Sequence, residues 1–163
     1  APFTFPLYEA GQINALYGTT SGISSSGDQA FDMRDAGVSG VPKDYDNFGA
    51  ALASGDFDGD GYSDIAIGSP MVDELQNNIV GGRVSVFYGG AGGLDRNDDQ
   101  VFSQDTPGVE DVSEPGDHFG LRLASGDFNA DGRTDLAIGA PREAIAGEAG
   151  TPHRGSVVQG ERV

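Results

Sequence analysis

Cysteine and tryptophan are both missing from this 163-residue sequence. Without cysteine, disulfides, thiolate metal sites and cysteine nucleophiles are excluded. Positive charge is scarce: 9 Lys and Arg stand against 26 Asp and Glu, a formal net charge of −17. Nucleic acid and anionic membranes are repelled by such a chain, so neither is an expected partner, whereas divalent cations are. No apolar run approaches the ~20 residues of a membrane span, and membrane insertion is not expected. The chain opens on Ala1 rather than Met, as a processed secreted chain or an excised piece of a longer one would. The expected location is therefore secreted or extracellular. Glutamate is short as well, because 19 of the 26 acids are Asp and 7 are Glu. Glu suits helices, while Asp and the 27 glycines suit turns and oxygen-rich metal loops. No stretch holds a 3.6-residue apolar period over three turns, so helix should be scarce.

What the sequence does contain is an internal repeat. Phe48-Gly49 recurs as Phe119-Gly120, a shift of 71 residues, and the same shift carries Asp46 onto Asp117 and Pro70 onto Pro141. Between 46–70 and 117–141, 16 of 25 columns are identical without a gap. The register extends to Tyr17-Gly18 with Tyr88-Gly89, Phe31 with Phe102, and Arg83 with Arg154. Within one period, four short strands are expected: Leu52 to Phe57, Ile65 to Ile67 (closed by the breaker Gly68-Ser69-Pro70), Val84 to Tyr88, and a weaker Gln100 to Phe102. Polar loops at 36–47 and 107–118 absorb the rest of the period. Four strands at a fixed repeat are the signature of a β-propeller blade, so the predicted fold is all-β, with blades of four antiparallel strands.

The chemistry is expected in two aspartate loops. Asp56, Asp58, Asp60 and Asp64 occupy positions 1, 3, 5 and 9 of one loop, with Gly61 at position 6. Asp127, Asn129, Asp131 and Asp135 repeat the spacing, with Gly132 at position 6. Calcium takes six to eight hard oxygens, and alternating acids folded round an ion supply them. Position 7, Tyr62 or Arg133, would contribute its backbone carbonyl, which leaves its side chain free to vary. Magnesium keeps more of its water, and soft metals lack ligands here, so two calcium sites are expected. An EF-hand would need helices on both sides and Glu at position 12, where this chain has Ile67 and Ile138.

Phe48-Gly49 with Ile67-Gly68-Ser69-Pro70, and Phe119-Gly120 with Ile138-Gly139-Ala140-Pro141, bracket the two loops. In this the chain resembles the FG-GAP repeat family of integrin α-subunit propellers and bacterial secreted relatives. The resemblance implies calcium held in the hairpin between the first two strands of a blade, by Asp56, Asp58, Asp60, Tyr62 and Asp64, and by Asp127, Asn129, Asp131, Arg133 and Asp135. It divides the chain into the C-terminal half of one blade (1–35), a complete blade (36–106) and a partial blade (107–163), all in one propeller domain. About two blades' worth of strands leave the ring incomplete. The missing blades come either from further propeller chain or from a self-assembled oligomer.

No catalytic constellation is visible. His118 and His153 bear no regular relation to a serine, and no G-x-S-x-G elbow occurs. His118 takes the place of Asn47 and is expected to be a turn residue. Gly89 to Gly93 lacks the spacing of a phosphate loop. Asp98-Asp99 and Asp44 with Asp46 are expected to be solvated turn acids, and Phe57 and Phe128 to anchor their loops between blades. The leading functional expectation is a calcium-binding, extracellular recognition or adhesion module for a protein or glycan ligand. The alternatives are the accessory propeller portion of a secreted hydrolase, whose catalytic residues lie outside this chain, and a structural surface module.

Overall fold

The structure is a computed structural model that describes residues 6–35, 37–71, 81–97, 99–143 and, as backbone, 156–160. His153 and Asp98 lie outside the described residues. Nine strands and no helix occur among the described residues. β1 (Ile13–Thr19) and β2 (Gly22–Phe31) form an antiparallel pair with a bulge between Ala15 and Tyr17. β3 (Ala51–Gly55), β4 (Asp64–Ser69), β5 (Arg83–Phe87) and β6 (Gln100–Phe102) form a four-stranded antiparallel meander. β7 (Arg122–Gly126), β8 (Asp135–Ala140) and β9 (Ser156–Gly160) repeat its first three strands. Among the described residues the sheets therefore form an open row of propeller blades, one with four strands flanked by two with fewer.

The two inner strands of the central sheet, β4 and β5, are buried on both faces, and the two-residue strand period decides which residue meets which neighbour. Ile65, Ile67 and Phe87 point into one core with Ile13, Phe31, Met33, Val38 and Phe48. Ala66, Val84 and Val86 point into the other, with Phe119, Ile138 and Ala140. Two seams thus join three sheets, and apolar residues on both faces explain why these strands lack polar–apolar alternation.

Each seam is stitched by the same backbone device. Gly11 bridges Phe48, and 71 residues later Gly82 bridges Phe119. The amide of Phe48 donates to Ala10 O (2.9 Å), and that of Phe119 to Gly81 O (2.7 Å). A Cβ at Gly11 or Gly82 would run into the backbone of the bridging Phe, so only glycine admits this approach. The recurring Phe-Gly pair follows from the same geometry. Phe48 and Phe119 fill the seams, and the next residue turns back with φ of 94° at Gly49 and 84° at Gly120. The turn lets Gly49 N donate to Gly68 O and Gly120 N to Gly139 O, each at 3.1 Å.

Several expectations are corrected. β3 stops at Gly55 rather than reaching Phe57, because the backbone of Asp56 already turns to pair with Thr134 (Thr134 N to Asp56 O, 3.1 Å). Gly68 and Ser69 do not break the second strand but finish it, paired with Val84 and Arg83. Asp46 and Asp99 are buried, not solvated. Asp46 caps the Lys43 amide (2.6 Å), and Asp99 accepts from Ser39 N (2.9 Å), so each acid ties down a loop. Asp44 is exposed, as expected of a turn acid. Phe57 packs against the second core, but Phe128 is 48% exposed. The two occupy one repeat position, and the described residues put no further sheet against Phe128. His118 and Asn47 share a left-handed backbone, with φ of 58° and 56°.

Candidate metal centre

Both aspartate loops connect the first two strands of a sheet, β3 to β4 and β7 to β8. Their carboxylates point inward because the loop amides need acceptors. Asp56 accepts from Gly59 N (2.7 Å) with one oxygen and from Gly61 N (3.0 Å) with the other. Asp58 accepts from Asp60 N (3.1 Å), and Asp60 from Tyr62 N (2.8 Å). These short side-chain turns wind the chain tightly, and Gly59 (φ 79°) and Gly61 (φ 91°) supply its left-handed steps.

One carboxylate oxygen from each of Asp56, Asp58 and Asp60 lies within 4.8 Å of one from each of the others. Three acids so close repel one another unless a cation or water intervenes. The donor set is oxygen throughout, which fits a hard cation such as calcium or magnesium. Asp64 is buried beneath the loop, where it accepts from Phe57 N (2.6 Å) and Gly89 N (2.8 Å). It thereby clamps the loop's start to the end of β5. Burial is the main cause that holds its carboxyl above the usual range, against those two hydrogen bonds and with help from Asp58 and Asp56. Tyr62 is exposed, so its side chain imposes nothing on the loop.

The second loop has the same winding. Asp127 accepts from Asp131 N (3.1 Å) and Gly132 N (3.0 Å). Asn129 accepts from Asp131 N (2.9 Å), Asp131 from Arg133 N (2.8 Å), and Asp135 from Phe128 N (2.7 Å). Asn129 also donates its side-chain amide to Asp131 (3.2 Å), so here a neutral donor takes the place of a third clustered carboxylate. Ala130 adopts φ 60° where the first loop has Gly59, a strained conformation for a residue with a Cβ. The loops also touch each other. Asp56 N donates to Thr134 Oγ1 (3.2 Å), and the Arg133 side chain lies over Gly59. Sequence reasoning missed Thr134, whose only signal is that it precedes Asp135 at the repeat position that Ser63 holds before Asp64.

The FG-GAP repeat matches residues 48–87 and 119–158 of this chain. Among curated proteins, the chain is 38% identical over 97 residues to phosphatidylinositol-glycan-specific phospholipase D of Bos taurus, covering 60% of this chain and 11% of the relative. It is 39% identical over 100 residues to integrin alpha-5 of Xenopus laevis, covering 60% and 9%. It is 36% identical over 99 residues to integrin alpha-3 of Cricetulus griseus, covering 60% and 9%. The match thus spans only about a tenth of the length of these relatives.

Proposed function

This chain belongs to the FG-GAP repeat family and forms a propeller module of it; from that premise we propose that it is a calcium-binding module for recognition or adhesion outside the cell. The observation that carries the proposal is that Asp56, Asp58 and Asp60 each bring a carboxylate oxygen within 4.8 Å of the others. In this reading Asp56, Asp58, Asp60, the Tyr62 carbonyl and Asp64 serve the first calcium site. Asp127, Asn129, Asp131, the Arg133 carbonyl and Asp135 serve the second. Calcium stiffens the hairpin loops, and the ligand is a protein or glycan held by the loops of the ring. The open blades are completed by further propeller chain or by other copies of this one. Among the described residues no helix is long and apolar enough to cross a membrane.

A second reading has its own support, since one group of relatives is a phospholipase D. In that reading the propeller accompanies a hydrolase domain, and the parent polypeptide would have hydrolytic activity that survives loss of the calcium loops.

Calorimetric titration with calcium tests the metal assignment. With dissociation constants near ~10⁻⁴ M and ~1 mM free calcium, each site should stabilise the fold by about 1.4 kcal/mol. Asp60→Ala should remove one equivalent and Asp60→Ala with Asp131→Ala two, each with a fall in melting temperature in calcium but not in chelator. Unchanged calcium binding in the double variant would refute the loop assignment.

A further inference from the structure

A second group of carboxylates lies away from the loops, at the seam between the central and third sheets. Glu114, Asp117 and Glu143 each place one oxygen within 4.8 Å of the others. Asp117 is 3% exposed and Glu143 fully buried, while Glu114 opens to solvent. The backbone presets the group: Glu114 N donates to the Asp117 carboxylate (2.6 Å), and Arg142 N to the Asp117 carbonyl (3.3 Å).

A neutral side chain reaches the same group. Gln104 is 1% exposed, and its side-chain amide donates to the Glu143 carboxylate. That contact leaves Gln104 Oε1 and Glu143 Oε1 buried without a hydrogen-bond partner. A buried polar oxygen left unpaired is costly, and two on one hydrogen-bonded pair of side chains call for a further partner. The partner must be a donor or a cation, because both atoms are acceptors.

The repeat sharpens the case. Moved back by 71 residues, Gln104 falls on Met33, Glu114 on Lys43, Asp117 on Asp46 and Glu143 on Val72. Met33 is buried in the first core, and Asp46 caps its turn as Asp117 does. At the matching positions the second repeat unit thus carries oxygens where the first has Met33 and Val72 in sequence, and an acid where it has Lys43. Each charged neighbour that acts on Glu143 is negative, namely Asp117, Asp111 and Glu114, and burial is the main cause that holds its carboxyl above the usual range.

We propose that Glu114, Asp117 and Glu143, with the amide oxygen of Gln104, form a third calcium site, which clamps β6 and β8 together across the second seam. Calcium suits the set because it accepts an irregular shell of oxygens and completes it with water through the open side at Glu114. The site is distinct from the aspartate loops, and its occupation would lock two blades rather than one hairpin.

The test uses the 163-residue chain carrying Asp60→Ala and Asp131→Ala, which leave the seam untouched. Titration with calcium chloride should still show one equivalent. Glu143→Gln in that background should weaken it at least about tenfold, and Glu114→Gln, at an exposed position, about three- to tenfold. Gln104→Met with Glu143→Val, the residues at the matching positions of the preceding repeat, should abolish the heat while the β-sheet circular dichroism is kept. No calcium heat in the background chain would overturn the proposal, as would binding unmoved by Glu114→Gln or magnesium bound more tightly than calcium. If Glu143→Gln does not fold, Glu114→Gln alone decides.

Discussion

The penultimate residues of β4 and β8, Gly68 and Gly139, share a motif, a strand position and the same hydrogen bond, accepted from the glycine of the preceding Phe-Gly turn. Their surroundings differ. A Cβ at Gly68 would run into the carbonyl oxygen of Gly120, a backbone atom of the next sheet held at φ 84°. At Gly139 the nearest atoms to a new Cβ are Arg122 Cβ at 3.4 Å and Arg122 O at 3.6 Å, which is ordinary contact. Gly68→Ala must therefore push the second seam apart. Overpacking typically costs ~1–3 kcal/mol, and a rigid backbone obstacle places this case near ~3. Gly139→Ala meets no obstacle among the described residues and reduces the freedom of the unfolded chain, for a gain of up to about 0.5 kcal/mol. For a chain of this size about 1 kcal/mol moves the melting temperature by ~2–4 °C. Gly68→Ala should then melt ~6–12 °C lower than the parent and Gly139→Ala within ~2 °C of it, by calorimetry in the same calcium buffer. Equal losses in the two variants would refute the seam as the cause, since strand propensity would then explain both.

Burial, and secondarily the Arg142 charge, hold the His118 imidazole below its usual value. The unfolded chain therefore takes up the proton more readily, and the stability carried by the neutral ring above about pH 6.5 is lost as pH falls through its depressed folded value. His118→Asn, which copies Asn47 at the same left-handed position, should flatten the melting temperature between pH 7 and 5; an unchanged slope would count against it. Ala130→Gly relieves a left-handed alanine worth ~1–2 kcal/mol, offset by ~0.4–1 of unfolded-chain entropy, so chemical denaturation should show a gain of up to about 1.6 kcal/mol. Asn129→Asp replaces an amide donor with a third clustered acid. In chelator it should melt lower than the parent and in calcium higher, whereas a lower melting point in both would show that the second loop holds no cation.

Much of this architecture was legible because the repeat phases the whole chain. Once Phe48 is aligned with Phe119, the short strands and both loops follow at fixed offsets, and the apolar β5 segment Val84-Ser85-Val86-Phe87 identifies itself. What stayed hidden depends on contacts between blades. Gly68 reads as a breaker because composition alone does not reveal that it lines a strand against Gly120. Asp46 and Asp99 read as solvated, since their burial comes from loop amides more than 2 residues away in the chain or, for Ser39 and Asp99, from segments 60 residues apart. The exposure of Phe128 depends on a neighbouring sheet that its own sequence cannot describe. The change from Met33 to Gln104 is present in the sequence, but in a chain with 26 acids one more polar position does not stand out.

The glycine bridge repeated at Gly11–Phe48 and Gly82–Phe119 makes the seam, rather than the blade, the unit that is copied along the chain. Energetically the protein resembles a one-dimensional lattice with nearest-neighbour couplings. The central sheet has two couplings and each outer sheet one, so opening should begin at the outer sheets and reach the centre last. Amide exchange would register this as a gradient, with Val84 to Phe87 slowest and β1 and β7 faster. Each further repeat joined to either side would raise stability by one seam's worth and move the slow centre by one blade, until closure of the ring removed the outer sheets altogether.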